Sequence, residues 1–223
     1  DPDTTLSHWA SAGTISKVQE KLKQHGVKAV NYGVVGGKDA AEWRRIFEFG
    51  KAMGLYAITT EDVLKLDMIE PMVKEFDIGI AIHNHPRHVD NPNYKVWDPY
   101  YVLEMTKDRD PRIGASADTG HWQTSGINPV FGLRALKGRI ISCHLKDKLD
   151  YGPSHDVPYG TGTGEIGRCL EELKAQGFAG NISIEYEYNW NASVPDISRC
   201  IQFVRNWKGA PPKEQEKEEK SGE

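Results

Sequence analysis

The chain has 223 residues, of which 38% are hydrophobic and 27% charged, which is typical of one globular domain. Its formal net charge of −4 comes with no basic stripe, so we expect no nucleic-acid partner. No apolar run approaches the roughly 18 residues of a membrane-spanning helix, so we expect no membrane association.

Helical and strand patterns alternate along the chain. The predicted helices cover 14–26, 39–54, 61–76, 100–108, 130–138, 164–177 and 195–207. The predicted strands cover 27–35, 55–60, 78–83, 113–118, 139–144 and 181–187. Pro71 is predicted to break or restart its helix, since proline has no N–H to donate. The mixed-charge tail, 211–223, is predicted to be disordered.

Six successive β/α units predict an α/β fold with a parallel sheet and helices outside it. A doubly wound open sheet and a closed barrel both fit this pattern. No G-x-G-x-x-G follows the first strand, which removes the best support for a dinucleotide-binding sheet. We therefore predict a (β/α)₈ TIM barrel over residues 1–210 that lacks its first two strands, so that six β/α units are present.

Candidate ligand and acid–base side chains follow four successive predicted strands. They are His83 and His85, then Asp118 with His121, then His144 with Lys146 and Asp147, and finally Glu185 with Glu187. In a parallel barrel the carboxyl ends of the strands form the functional face. Imidazole and carboxylate ligands without a thiolate suit Mn²⁺, Fe²⁺, Co²⁺ or Zn²⁺ better than Ca²⁺ or a structural zinc.

The motifs "DTGH", "HLKD", "GTGTGEI" and "ISIEYE" are similar in order and spacing to those of the xylose isomerase-like TIM-barrel superfamily, in its sugar phosphate isomerase/epimerase group. The resemblance implies one divalent metal ion, Mn²⁺ first, with Zn²⁺, Co²⁺ or Fe²⁺ as alternatives. It implies Asp118, His144 and Glu185 as ligands. The fourth ligand is commonly a glutamate, and His83 stands at that position here.

The implied reaction is proton abstraction next to a carbonyl, with the metal stabilising the resulting enediolate. Glu185 is the expected base, and Lys146, His121 or His85 would return a proton. Reprotonation completes an isomerisation or an epimerisation. The replacement at His83 makes a symmetrical two-glutamate epimerisation less secure.

Five further residues are assigned to the substrate: Glu61, Trp122, Asp147, His155 and Glu187. Glu61 has an alternative role as an N-terminal charge on the following helix. The glycines of "YGTGTGE" either offer N–H groups to a phosphate or sugar oxygen or simply form a turn.

The sequence thus predicts a metal-dependent sugar isomerase or epimerase that acts on a small sugar, keto-sugar or polyol, with a homo-oligomer left open. The alternatives are a dehydratase or lyase on a keto-sugar or inosose, a non-catalytic sugar-binding barrel and, last, an endonuclease of the same superfamily. Three cysteines without a C-x-x-C pattern favour buried thiols and a cytoplasmic location. The chain opens "DPDTTLSH" with no readable leader, so a periplasmic or secreted location stays open.

Overall fold

The computed structural model describes residues 6–209, so the prediction for the tail at 211–223 lies outside the described residues. The strands are β1 (Asn31–Tyr32), β2 (Ala57–Thr60), β3 (Gly79–His83), β4 (Ile113–Asp118), β5 (Ile140–Leu145) and β6 (Asn181–Ile184). The helices are α1 (Ala12–Gln24), α2 (Ala40–Met53), α3 (Leu66–Phe76), α4 (Pro99–Thr106), α5 (Thr119–Thr124), α6 (Pro129–Ala135), α7 (Ile166–Ala175) and α8 (Val194–Asn206). None of the helices between residues 6 and 209 has the length and apolar content needed to cross a bilayer.

The six strands form one parallel sheet in the order β1-β2-β3-β4-β5-β6. The sheet curls into half a barrel, which confirms the predicted α/β class and partial TIM barrel. All strands run the same way, so their carboxyl ends meet on one face. In the β4–β5 register Asp118 lies opposite His144, and in the β3–β4 register His83 lies opposite Ser116.

The core lies between the sheet and its outer helices. Every residue of β3 and β4 is buried, as expected for central strands covered on both faces. From α2, Trp43 and Phe47 pack into the same cluster as Ile80 and Ile82 of β3. Cys143 is buried in this core, as the sequence predicted. This packing fixes the strand ends that carry the functional side chains.

The predicted break at Pro71 is wrong, because α3 runs through this residue from Leu66 to Phe76. Its buried face, which includes Ile69 and Val73, packs into the core and outweighs the one hydrogen bond that proline forgoes. The start of the predicted helix forms a short 3₁₀ turn, Val63–Lys65.

Helix α5 was not predicted, because its six residues are too short for an apolar periodicity. Asp118, the last residue of β4, caps it by accepting a hydrogen bond from the His121 N–H. The same carboxylate therefore ends a strand, starts a helix and faces the candidate site.

Candidate active site

The side chains at the ends of β3, β4 and β5 converge on one point. Ligand atoms of His83, Asp118 and His144, three of the four predicted metal ligands, lie within 4.8 Å of one another. The fourth, Glu185, groups in the same way with Asp118 and His121. A third group consists of His83, His85 and His121. Successive strand ends thus bring together the imidazoles and carboxylates that the sequence singled out.

Asp118 lies at the centre of this cluster and is fully buried. Its Oδ1 accepts the His121 N–H at 2.8 Å, whereas Oδ2 has no hydrogen-bond partner within the described residues. The Nδ1 atom of His83 is likewise buried without a partner there. Burial raises the pKa of Asp118 to about 7, although the nearby Lys146 ammonium opposes this. A buried oxygen and nitrogen left without partners fit a bound cation, which would satisfy both.

Four of the side chains in this cluster are histidines, namely His83, His85, His121 and His144. The ring of His83 lies 4.6 Å from that of His85, 5.0 Å from that of His144 and 5.6 Å from that of His121, between centroids. Burial lowers the pKa of His83 to about 3, and it also lowers that of His121 well below its ordinary value. Both imidazoles are therefore neutral near pH 7, which is the form that binds metal ions.

Glu61, at the end of β2, orients His85. Its Oε1 accepts the Nδ1–H of His85 at 2.6 Å and also accepts the hydroxyl of Tyr94. The hydrogen bond to Glu61 raises the pKa of His85. The sequence left two roles open for Glu61, one at the site and one as a charge at the start of the following helix. In the structure its side chain faces the site. Tyr94 is a residue that the sequence reasoning missed.

Lys146 forms the opposite side of the site. It is 1% exposed, and its ammonium contacts Glu185 Oε1 at 3.1 Å, Asp118 Oδ2 at 3.7 Å and the carboxylate of Glu187. Burial alone would lower the pKa of Lys146, but these carboxylates raise it, so the side chain stays protonated. The other oxygen of Glu185 lies against Nδ1 of His144. Burial would raise the pKa of Glu185, yet His144 and Lys146 keep it below its ordinary value.

Asp147 has a different setting from the one expected at the substrate. It is buried, and its carboxylate accepts the N–H groups of Gly160, Gly162 and Gly164 at 2.9, 3.2 and 2.9 Å. A Cβ at Gly162 would lie 2.1 Å from the Lys148 carbonyl oxygen, so the turn requires glycine there. The N–H groups of these three glycines therefore donate to Asp147 and are not directed at a ligand.

The other two residues assigned to the substrate lie in contrasting places. Trp122 is 1% exposed and packs in the core against Gly132, so its indole has no open face for a sugar ring. His155 lies beside Tyr188 in a cleft next to the site, with ring centroids 4.5 Å apart. The cleft is also lined by Glu187.

Comparisons with known proteins show what this chain is similar to. A family model described as the xylose isomerase-like TIM barrel matches residues 65–207. The chain is 33% identical over 75 residues to L-ribulose-5-phosphate 3-epimerase UlaE of Escherichia coli. The match covers 34% of this chain and 25% of UlaE, so it spans a quarter of the relative's length.

Solved structures share the fold over most of the chain. An uncharacterized protein from Parabacteroides distasonis is 31% identical, with a TM-score of 0.70 over 91% of this chain and 80% of the other. The IolI protein, solved with a bound zinc atom, has a TM-score of 0.65 over 86% of this chain and 80% of its own. IolI is 16% identical, so the likeness extends to the fold alone.

Proposed function

The chain belongs to the xylose isomerase-like TIM barrel family, and from that premise we propose that it is a metal-dependent sugar isomerase or epimerase. The observation that carries the proposal is the buried Oδ2 of Asp118, which has no hydrogen-bond partner among residues 6–209 and lies among imidazoles at successive strand ends. The relative UlaE, named as a sugar-phosphate epimerase, supports the choice of substrate class.

His83, Asp118, His144 and Glu185 would hold the divalent ion. When bound, the ion would supply a Lewis acid for the carbonyl and hydroxyl oxygens of a keto-sugar. Mn²⁺ is the first candidate and Zn²⁺ the next, because the set mixes imidazole and carboxylate ligands. The zinc in IolI is a second reason to test zinc.

The residues on the β5–β6 side would take the proton. Glu185 remains ionised through its contacts with His144 and Lys146, so one of its oxygens can accept a proton from the carbon next to the carbonyl. The Lys146 ammonium neutralises the carboxylates around it and fixes their positions.

The residues on the β2–β3 side would return a proton. Because ionised Glu61 can only accept, the Nδ1 of His85 carries the proton in their hydrogen bond. Glu61 and Tyr94 thereby fix the orientation of the imidazole. With Nδ1–H held by Glu61, the donor is the Nε2–H of the imidazolium, which the raised pKa of His85 favours, and it can protonate the substrate at a second position. Reprotonation at the neighbouring carbon gives an isomer, and reprotonation on the opposite face gives an epimer.

Metal analysis of the purified protein and of Asp118→Asn tests the proposal. We expect about one divalent ion per wild-type chain, lost in Asp118→Asn, and metal-dependent deuterium uptake from heavy water into a keto-sugar. The matched control is Asp67→Asn, whose side chain is 92% exposed and which should keep the metal. Metal retention in Asp118→Asn, or no deuterium uptake by the metal-loaded protein with any ketose tested, would contradict the proposal.

A further inference from the structure

A cleft of about 530 Å³ opens beside Glu187, outside the cluster of candidate metal ligands. Its walls come from the loop after β5 and the loop after β6, including Lys148, His155, Asp156, Tyr188 and Trp190. Its volume lies in the usual range for small-molecule sites. Glu187 lines the cleft and also accepts a hydrogen bond from Lys146, so the cleft adjoins the candidate active site.

One wall of the cleft is aromatic. Trp190 is 73% exposed and Tyr188 is 46% exposed, and the ring of Tyr188 lies beside that of His155. Burial of a large aromatic side chain is strongly favourable, so two exposed ones in a cleft indicate a ligand surface. The flat C–H face of a pyranose ring is the part of a sugar that packs on such rings.

The other wall is polar and already held in place. Lys148 Nζ contacts Asp156 Oδ1 at 3.0 Å, and Asp156 Oδ2 accepts the Glu187 N–H at 2.6 Å. These bonds join the two loops and hold the backbone of Glu187, whose side chain is 47% exposed. A hydroxyl group of a sugar ring can donate to the Glu187 carboxylate while the ring face lies on the aromatic wall.

The charges of the cleft favour a neutral ring over a phosphate group. Lys148 is paired with Asp156, and Glu187 adds a second carboxylate. The N–H groups of the neighbouring glycine loop, which could have bound a phosphate, are taken by Asp147. A phosphate here would meet carboxylates without a free cation among the lining residues.

The cleft is separate from the flank between β1 and β6. A second cavity opens at that flank, and Asn31, Thr59, His144, Asn181 and Ser183 are among its lining residues. No residue lines both cavities. The aromatic wall is therefore not part of the open edge of the sheet.

From these contacts we infer that the cleft binds a second, neutral sugar ring, so the substrate is a glycoside or disaccharide whose reacting ring occupies the candidate active site. This rests on the proposed function for the identity of the reacting ring. Tyr188 and Trp190 stack on the second ring, and Glu187 contacts both rings at their junction.

Binding of fructose and of its galactosyl derivative lactulose, measured by calorimetry on the metal-loaded protein, tests the inference. We expect lactulose to bind at least tenfold more tightly than fructose. Trp190→Ala should remove most of that advantage and leave fructose binding within twofold. Trp190 is highly exposed, so the variant should keep the melting temperature of the wild type.

Trp9→Ala is the matched control, because Trp9 is also exposed and packs on Arg45 away from the cleft. It should change neither affinity. Equal affinities of the two sugars, or a lactulose advantage that survives Trp190→Ala, would overturn the second-ring site, as would binding of neither sugar. Trp190-dependent lactulose binding without metal-dependent deuterium uptake would retain the second-ring site and refute the proposed function. Metal-dependent deuterium uptake, together with lactulose binding that does not depend on Trp190, would retain the proposed function and refute the second-ring site.

Discussion

The β2–β3 side of the site and the β5–β6 side approach the same buried Asp118 with different chemistry. On the first side Glu61, His85 and Tyr94 form a chain of hydrogen bonds that ends in an imidazole. On the second side Lys146 and Glu185 form a compact group of opposite charges around His144.

The difference between the two sides suggests a division of labour. Lys146 is buried and multiply paired, so the charges of the β5–β6 side are fixed and their loss would leave an uncompensated ion. His85 is about half-buried and is held mainly through Glu61. We therefore expect substitutions on the β5–β6 side to have the larger effects.

The largest effect should come from Glu185→Gln, which removes the expected base and the carboxylate that His144 and Lys146 share. We predict that kcat falls by about 10²–10⁴-fold on a turned-over ketose, measured with saturating metal. Glu172→Gln, which breaks an ion pair with Arg134 on the outer helices, is the control and should keep kcat. A fall in kcat below about tenfold for Glu185→Gln would assign the base elsewhere.

A smaller effect should come from Glu61→Gln. The amide keeps the size of the carboxylate but no longer holds the imidazole of His85 by a charged hydrogen bond. Loss of such a supporting partner typically costs about 10–100-fold in metal affinity or activity. Steady-state kinetics and metal titration should both register the change. An effect as large as that of Glu185→Gln would show that the two sides contribute equally.

The smallest effect should come from Tyr94→Phe, which removes the hydroxyl that donates to Glu61 and accepts the His85 backbone N–H, and keeps the ring that stacks on His88. Of these two bonds only the one to Glu61 bears on the imidazole, and one hydrogen bond is worth about 1 kcal/mol, so kcat should fall by about fivefold. Tyr100→Phe, on an exposed helical residue, is the control. No change in kcat for Tyr94→Phe would mean that Glu61 alone orients His85.

The strand ends of the site were predictable because parallel strands share one polarity. Asp118 and His144 end buried apolar runs, and the structure places them opposite each other in register. Glu61 could be proposed for the same reason. Whether Glu61 faces the site or only adds charge to a helix start depends on the segment between β3 and α4. That segment has no hydrophobic periodicity from which its fold could be predicted.

Tyr94 and Asp147 mark the limit of prediction from the sequence. Tyr94 reaches Glu61 from that irregular segment, 33 residues away in the chain. Asp147 follows a strand as the candidate ligands do, yet its carboxylate accepts three backbone N–H groups and so is not directed at a ligand. Trp122 was misassigned for a related reason, since residue type alone does not distinguish a stacking indole from a packing one.

The bonds between Asp147 and its glycines also bear on how this site can diversify. The bond from the Gly164 N–H to Asp147 closes a loop of 17 residues at its own base. The entropy lost in closing a loop grows only with the logarithm of its length. Insertions among residues 150–154, next to His155 and inside the Lys148–Asp156 pair, would therefore cost little free energy while the base remains fixed. Evolution can lengthen or reshape this side of the cleft, and with it substrate preference, without moving His144.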